Sequence, residues 1–111
     1  MHQRTIFFIS DGTGVTAETF GRAIMKQFDI TTRAVRLPFV DTVDKAHQAV
    51  HQINHTAEKE GKKPIVFTTL VEPETVKVVH EHCKGLVMDM FATFVQPLED
   101  ELGAKSHHRI G

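Results

Sequence analysis

The stretch Thr5-Ile6-Phe7-Phe8-Ile9-Ser10-Asp11-Gly12-Thr13-Gly14-Val15-Thr16-Ala17-Glu18 decides how this 111-residue chain is read. Its first five residues are a nearly continuous apolar run rich in strand formers, which suits a strand buried on both faces, as in a parallel sheet. Gly12 and Gly14 then break the pattern with a tight polar turn. From Gly14 to Phe28, Ala17, Phe20, Ile24 and Phe28 recur at helical spacing with polar residues between them. Strand, turn and helix in that order open a parallel α/β unit.

Outward from this opening the alternation continues. Ala34-Val35-Arg36-Leu37-Pro38-Phe39-Val40 reads as a second strand, with Pro38 at a sheet edge or near the strand's end because it lacks an N–H. Asp41 or Thr42 can cap the next helix, and Asp44 suits its first turn. Val43, Ala46, Val50, Ile53 and Ala57 form the cleanest amphipathic stripe, stopped by Gly61 and Pro64. Residues Ile65 to Leu70 predict a third strand, and Pro73 starts a third helix that runs to about Cys83. Leu86 to Met90 predict a fourth strand; Phe91, Phe94, Val95, Leu98 and Leu102 predict a fourth helix that stops near Gly103. A β-α-β-α-β-α-β-α order predicts an α/β fold of three layers: a parallel four-stranded sheet with helices on both faces, flavodoxin- or Rossmann-like. Right-handed crossovers restrict the topology, and the expected strand order is 2-1-3-4. Residues 1–103 make this one domain, and 104–111 read as the start of a linker.

Composition narrows the class. The chain is 41% hydrophobic and 24% charged, ordinary for a globular protein. Thirteen basic residues against fourteen acidic ones give a net charge of −1, with no basic face for a nucleic-acid partner. The single cysteine, Cys83, cannot form an internal disulfide and fits a reducing compartment. No apolar run approaches the roughly 18 residues of a membrane span, and no signal-peptide pattern precedes the first strand, so a cytoplasmic location is expected. There are eight Phe but no Trp or Tyr, so the usual stacking platforms for a nucleobase are absent.

In such a sheet ligands bind beyond the carboxyl ends of the strands, where the strand order switches, and the Ser10–Gly14 turn lies there. Gly12 and Gly14 allow close backbone approach. The following helix offers unpaired N–H groups and a positive dipole end. Ser10, Thr13 and Thr16 add hydroxyls, so Ser10, Gly12, Thr13, Gly14 and Thr16 together suit a phosphate or carboxylate. Asp11 would repel a bound phosphate unless its charge is absorbed. It could hold Mg²⁺, accept a proton from a hydroxyl as a catalytic residue, or simply cap the helix. Glu18, one turn on, could face the same loop. A structural turn capped by Asp11 or Thr13 is the plain alternative. Gly12 to Ala17 also satisfy G-x-G-x-x-A, but no acidic residue closes the second strand, as a dinucleotide site requires; Asp41 lies beyond Pro38. The Walker pattern is absent from these residues.

Other polar clusters read as less specific. His47, His51 and His55 share one helix face, yet no carboxylate or cysteine is placed to complete a metal site, so none is assigned. His80, His82 and Cys83 crowd a helix end, where surface and dipole roles suffice. Asp89 falls near the carboxyl end of the fourth strand, as a cap for the last helix or as a supporting site residue. His107 and His108 lie in the tail.

Residues Phe7 to Glu18, with Arg36-Leu37-Pro38-Phe39-Val40, Pro64 to Leu70 and Pro97-Leu98-Glu99 following in order and spacing, resemble the phosphoenolpyruvate synthase regulatory protein family, whose sister group regulates pyruvate, phosphate dikinase. The resemblance covers nearly the whole chain. It implies a bifunctional serine/threonine kinase and phosphorylase. Such an enzyme uses ADP to phosphorylate a threonine of the synthase or dikinase, and uses inorganic phosphate to reverse this, releasing pyrophosphate. Family proteins are more than twice this length, with a P-loop in their C-terminal half. The resemblance thus implies that these residues are the N-terminal domain, inactive alone, with the nucleotide held in the missing part. Two further readings stand beside it: a non-catalytic docking or homodimerisation domain, and an independent nucleotide-binding oxidoreductase-type domain.

Overall fold

The computed structural model describes residues 3–107. Strand β1 (Gln3–Ser10) leads into helix α1 (Val15–Met25), followed by β2 (Thr31–Leu37), α2 (Val43–Glu60), β3 (Ile65–Thr69), α3 (Pro73–His82) and β4 (Leu86–Asp89). A single π-helical turn (Phe91–Val95) then runs into α4 (Gln96–Leu102). The four strands are parallel, in the order β2-β1-β3-β4. The expected sheet and strand order are therefore the observed ones.

Alternation along the strands divides the core into two. Phe7, Ile9 and Val66 point to one face and pack with Ala46, Val50 and Ile53 of α2 and Val78 and Val79 of α3. Ile6, Phe8 and Phe67 point to the other, under Ala17 of α1. The rings of Phe8 and Phe67 stack there, 5.9 Å apart. With all strands parallel, Ser10, Leu37, Thr69 and Asp89 end at one edge of the sheet. The order reverses between β1 and β3, so the turn after β1 occupies the switch point.

Four local readings are corrected. Strand β2 starts three residues earlier than Ala34, because Thr31 to Arg33 pair with Gln3 to Thr5; it stops at Leu37, ahead of Pro38, which has no N–H. Helix α1 ends at Met25 rather than Phe28, since Gln27 and Phe28 donate to carbonyls only three residues back and tighten the last turn. Its buried face is Ala17 and Gly21, not the stripe through Ile24 and Phe28, which are exposed. The last helix opens as a π turn, with Gln96 N–H donating to the Phe91 carbonyl five residues back. Pro97 removes a donor and crowds the preceding turn, which favours the wider register. No residue of that turn or of α4 is buried.

Thr42, of the two capping candidates, caps α2: its Oγ1 accepts from Lys45 N–H at 3.1 Å, while Asp41 pairs with Lys45 Nζ at 3.0 Å. Residues 104–107 form no helix or strand, and His108 lies outside the described residues.

Candidate functional site

Ser10 closes β1 and is buried, so its hydroxyl acts inward: Oγ accepts from Gly12 N–H at 3.0 Å and sets the turn. Two backbone bonds then strap the turn to the chain leaving β2, from Phe39 N–H to the Gly12 carbonyl (2.8 Å) and from Val40 N–H to the Ser10 carbonyl (2.9 Å). Gly14 occupies the N-cap of α1 in the left-handed region, φ +86°. A Cβ there would stand 2.9 Å from Arg36 Cγ, so glycine is required both by conformation and by the arginine stem lying over it.

No side chain caps α1. Thr13 Oγ1 approaches Val15 N–H at only 3.4 Å, a marginal bond. Asp11 makes no hydrogen bond or ion pair with any described residue. Of the two capping candidates, Thr13 makes this one weak bond to the first N–H of α1 and Asp11 makes none. As at any helix start, the N–H groups ahead of Glu18 have no intrahelical partner, and the positive end of the helix dipole lies there. Of the residues read from the sequence, Thr13 is exposed, Asp11, Gly12 and Thr16 are half-buried, and Ser10 and Gly14 form the floor.

Glu18 is committed elsewhere. Its Oε2 accepts from Arg22 Nε at 2.7 Å, and its Oε1 takes Arg36 Nε at 2.7 Å and Nη2 at 2.6 Å. The Arg22 hydrogen bond first, then that of Arg36, hold its carboxyl below the usual range. Two guanidinium groups share this one carboxylate, and the carboxylate of Asp11 in the turn balances the charge left over.

Asp89 is not brought to Asp11. It pairs in register with Thr68, on the α2–α3 side of the sheet. Its Oδ1 accepts from Phe91 N–H (2.9 Å) and Ala92 N–H (3.2 Å), capping the π turn, and its Oδ2 lies 3.2 Å from His80 Nε2. Among the histidines, the His47 ring sits 5.5 Å from that of His82. No group of three His, Cys, Asp or Glu able to hold a metal ion occurs among the described residues.

Three residues near the turn escape a reading by pattern. Arg36 reaches it only through the pairing of β1 with β2, opposite Phe8. Phe39 holds φ +58° with its ring 55% exposed, an uncommon conformation for a bulky residue and one that accumulates at functional sites. Thr69 is register partner of Ser10 on the α1 face, fully buried, with no hydrogen-bond partner for its Oγ1. The only signal for it was its place as a polar residue closing a buried strand. The carboxyl end of β2 presents Arg36 and Leu37 rather than an acidic residue, which disfavours the dinucleotide reading.

Fold and turn together define a class: a parallel α/β domain with a glycine-rich turn and an N-capping glycine at its switch point. Residues 6–111 match the family described as Kinase/pyrophosphorylase, and the chain belongs to that family. It is 69% identical over 111 residues to a protein of Verminephrobacter eiseniae and 68% identical over 110 residues to one of Acidovorax sp. strain JS42. Both are provisionally named phosphoenolpyruvate synthase regulatory proteins. The first match covers 100% of this chain and 41% of the relative; the second covers 99% and 40%. The chain thus spans about two fifths of the length of these relatives. No solved structure matches it. No helix among the described residues is long and apolar enough to cross a membrane.

Proposed function

We propose that this chain is the N-terminal domain of a bifunctional regulator that phosphorylates a threonine of phosphoenolpyruvate synthase with ADP and removes the phosphoryl group with inorganic phosphate. The family description supports both halves of that chemistry, since phosphate attacking a phosphothreonine releases pyrophosphate. The relatives' names support the synthase as target. The nucleotide, with Mg²⁺, is held by the part of the family-length protein outside this chain, and the enzyme works in the cytoplasm.

Within that reading the Ser10–Thr16 turn receives an anionic group, either the phosphate being transferred or the phosphothreonine of the target. The observation that carries this is a helix start with no side-chain cap at the sheet's switch point; the charge of Asp11, which opposes a bound phosphate, is offset by the proton it takes from the acceptor hydroxyl. Asp11 is placed to accept a proton from, and orient, an acceptor hydroxyl.

Replacing Asp11 with Ala in the family-length protein tests the assignment. The expected outcome is a fall of at least about a hundredfold in the phosphoryl-transfer step, the usual scale for losing a positioned acid–base group, with target binding within twofold of the parent. Weakened binding with the chemical step intact in the bound complex would favour a docking domain instead. That second reading draws on the apolar residues exposed at the β4 edge.

A further inference from the structure

Parallel sheets are normally covered on both faces. Here α1 covers β1 and β3 but leaves β4 open on the same side. Leu86 and Met88 pair with Ile65 and Phe67 in register and so face the α1 side, yet they are 47% and 41% exposed. Between them and α1 runs a groove of about 100 Å³ lined by Phe20, Ile24, Met88 and Phe94. Phe94 touches Phe20 edge-on at 5.2 Å but is itself half exposed. Beyond it, Leu98 and Leu102 extend the apolar surface along α4, 56% and 70% exposed. Among the described residues, strand β4 also has a hydrogen-bonded neighbour on one side only. An open, apolar edge strand of this kind is a pairing surface in waiting.

We infer that the β4 edge, the π turn and the apolar side of α4 are the seat of the part of the family-length chain that follows the stretch described here, which adds apolar side chains to this groove and completes the cover of β4. Two facts select this occupant. About three fifths of each compared relative lies outside the matched stretch. The backbone also leaves the domain at this edge, since the π turn follows β4 directly and leads through α4 to Gly103. A second copy fits less well. A twofold contact through this face would bring two α4 helices together, each carrying Glu99, Asp100 and Glu101. The inference rests on the proposed N-terminal placement of this chain and on the family's length, and not on the phosphate reading of the turn.

Methionine oxidation tests it. Met88 and Met90 in the family-length protein and in the 111-residue chain are exposed to peroxide and read by mass spectrometry, with Met25 as an internal reference. Met88 is expected to oxidise at least tenfold more slowly in the family-length protein than in the short chain, while Met25 changes less than twofold. Equal Met88 rates in the two proteins overturn the inference. So does protection in the short chain that grows with its concentration, which would mark a second copy, or protection that appears only on adding the synthase. Leu86→Lys supplies an independent readout. It should leave the melting temperature of the short chain unchanged and restore fast Met88 oxidation in the family-length protein; continued protection there contradicts the assignment.

Discussion

Glu18 shows how much a single side chain near the turn depends on distant sequence. Arg22 lies one helical turn away and is readable from spacing alone. Arg36 is eighteen residues away and arrives only because β2 pairs with β1 in a register that sets it opposite Phe8. The sequence therefore marked Glu18 as facing the loop, but not that two guanidinium groups already hold it. The same is true of Phe39, whose left-handed backbone follows from two hydrogen bonds to the turn rather than from any preference of phenylalanine. The arginines lower the Glu18 carboxyl below its ordinary value of 4.5. A folded-state value below the unfolded one adds stability that is present above about pH 4.5 and lost as pH falls through the folded value. Because the arginines are partly exposed, the contribution is on the order of 0.5–1 kcal/mol. Glu18→Gln should therefore lower stability to denaturant by about that amount at pH 7, with the difference from the parent shrinking toward pH 3. A difference independent of pH would show that the ion pairs are not its source.

Among the elements, α1 was legible in existence but not in orientation. Ala17, Phe20 and Ile24 keep helical spacing within it, but Phe28 lies past its end, and spacing carries no information about the size of what lies beneath. The stacked rings of Phe8 and Phe67 fill the space under the helix, so it rests on Ala17 and Gly21 and turns Ile24 and Phe28 outward. A Cβ on Gly21 would stand 2.5 Å from Phe8 Cε1 and 2.8 Å from Phe67 Cδ2. Ala is favoured over Gly in a helix by about 1 kcal/mol, but overpacking of this kind costs about 1–3 kcal/mol. Gly21→Ala is thus expected to destabilise the domain by up to about 2 kcal/mol net, measured by urea unfolding. Stabilisation would mean that α1 sits farther from the sheet than described. The final helix failed as a core element for a related reason. Its stripe is real, but the sheet face it would cover is left unfilled by the described residues, and Pro97 sets a π turn where a regular start was expected.

Over the whole molecule, strand number, direction and order follow from apolar runs alternating with helical periods, because each such run must be buried and each crossover has one favoured hand. The position of the turn followed from the same logic, since the strand order fixes the switch point and the turn after β1 occupies it. Its inner structure did not, because the strap from Phe39 and Val40, the Arg36 cover on Gly14 and the place of Thr69 beside Ser10 all depend on segments far apart in sequence being brought together by strand pairing. The central claim is that this turn binds an anionic phosphate group through the backbone at the start of α1. Titrating inorganic phosphate to millimolar concentration against the ¹⁵N-labelled chain, with amide shifts followed residue by residue, tests it most directly. Saturable shifts centred on Gly12 to Thr16 are expected, reduced by added salt and absent at the far end of the sheet. Amides from Gly12 to Thr16 that do not move, or that move no more than those of α2, would contradict the account.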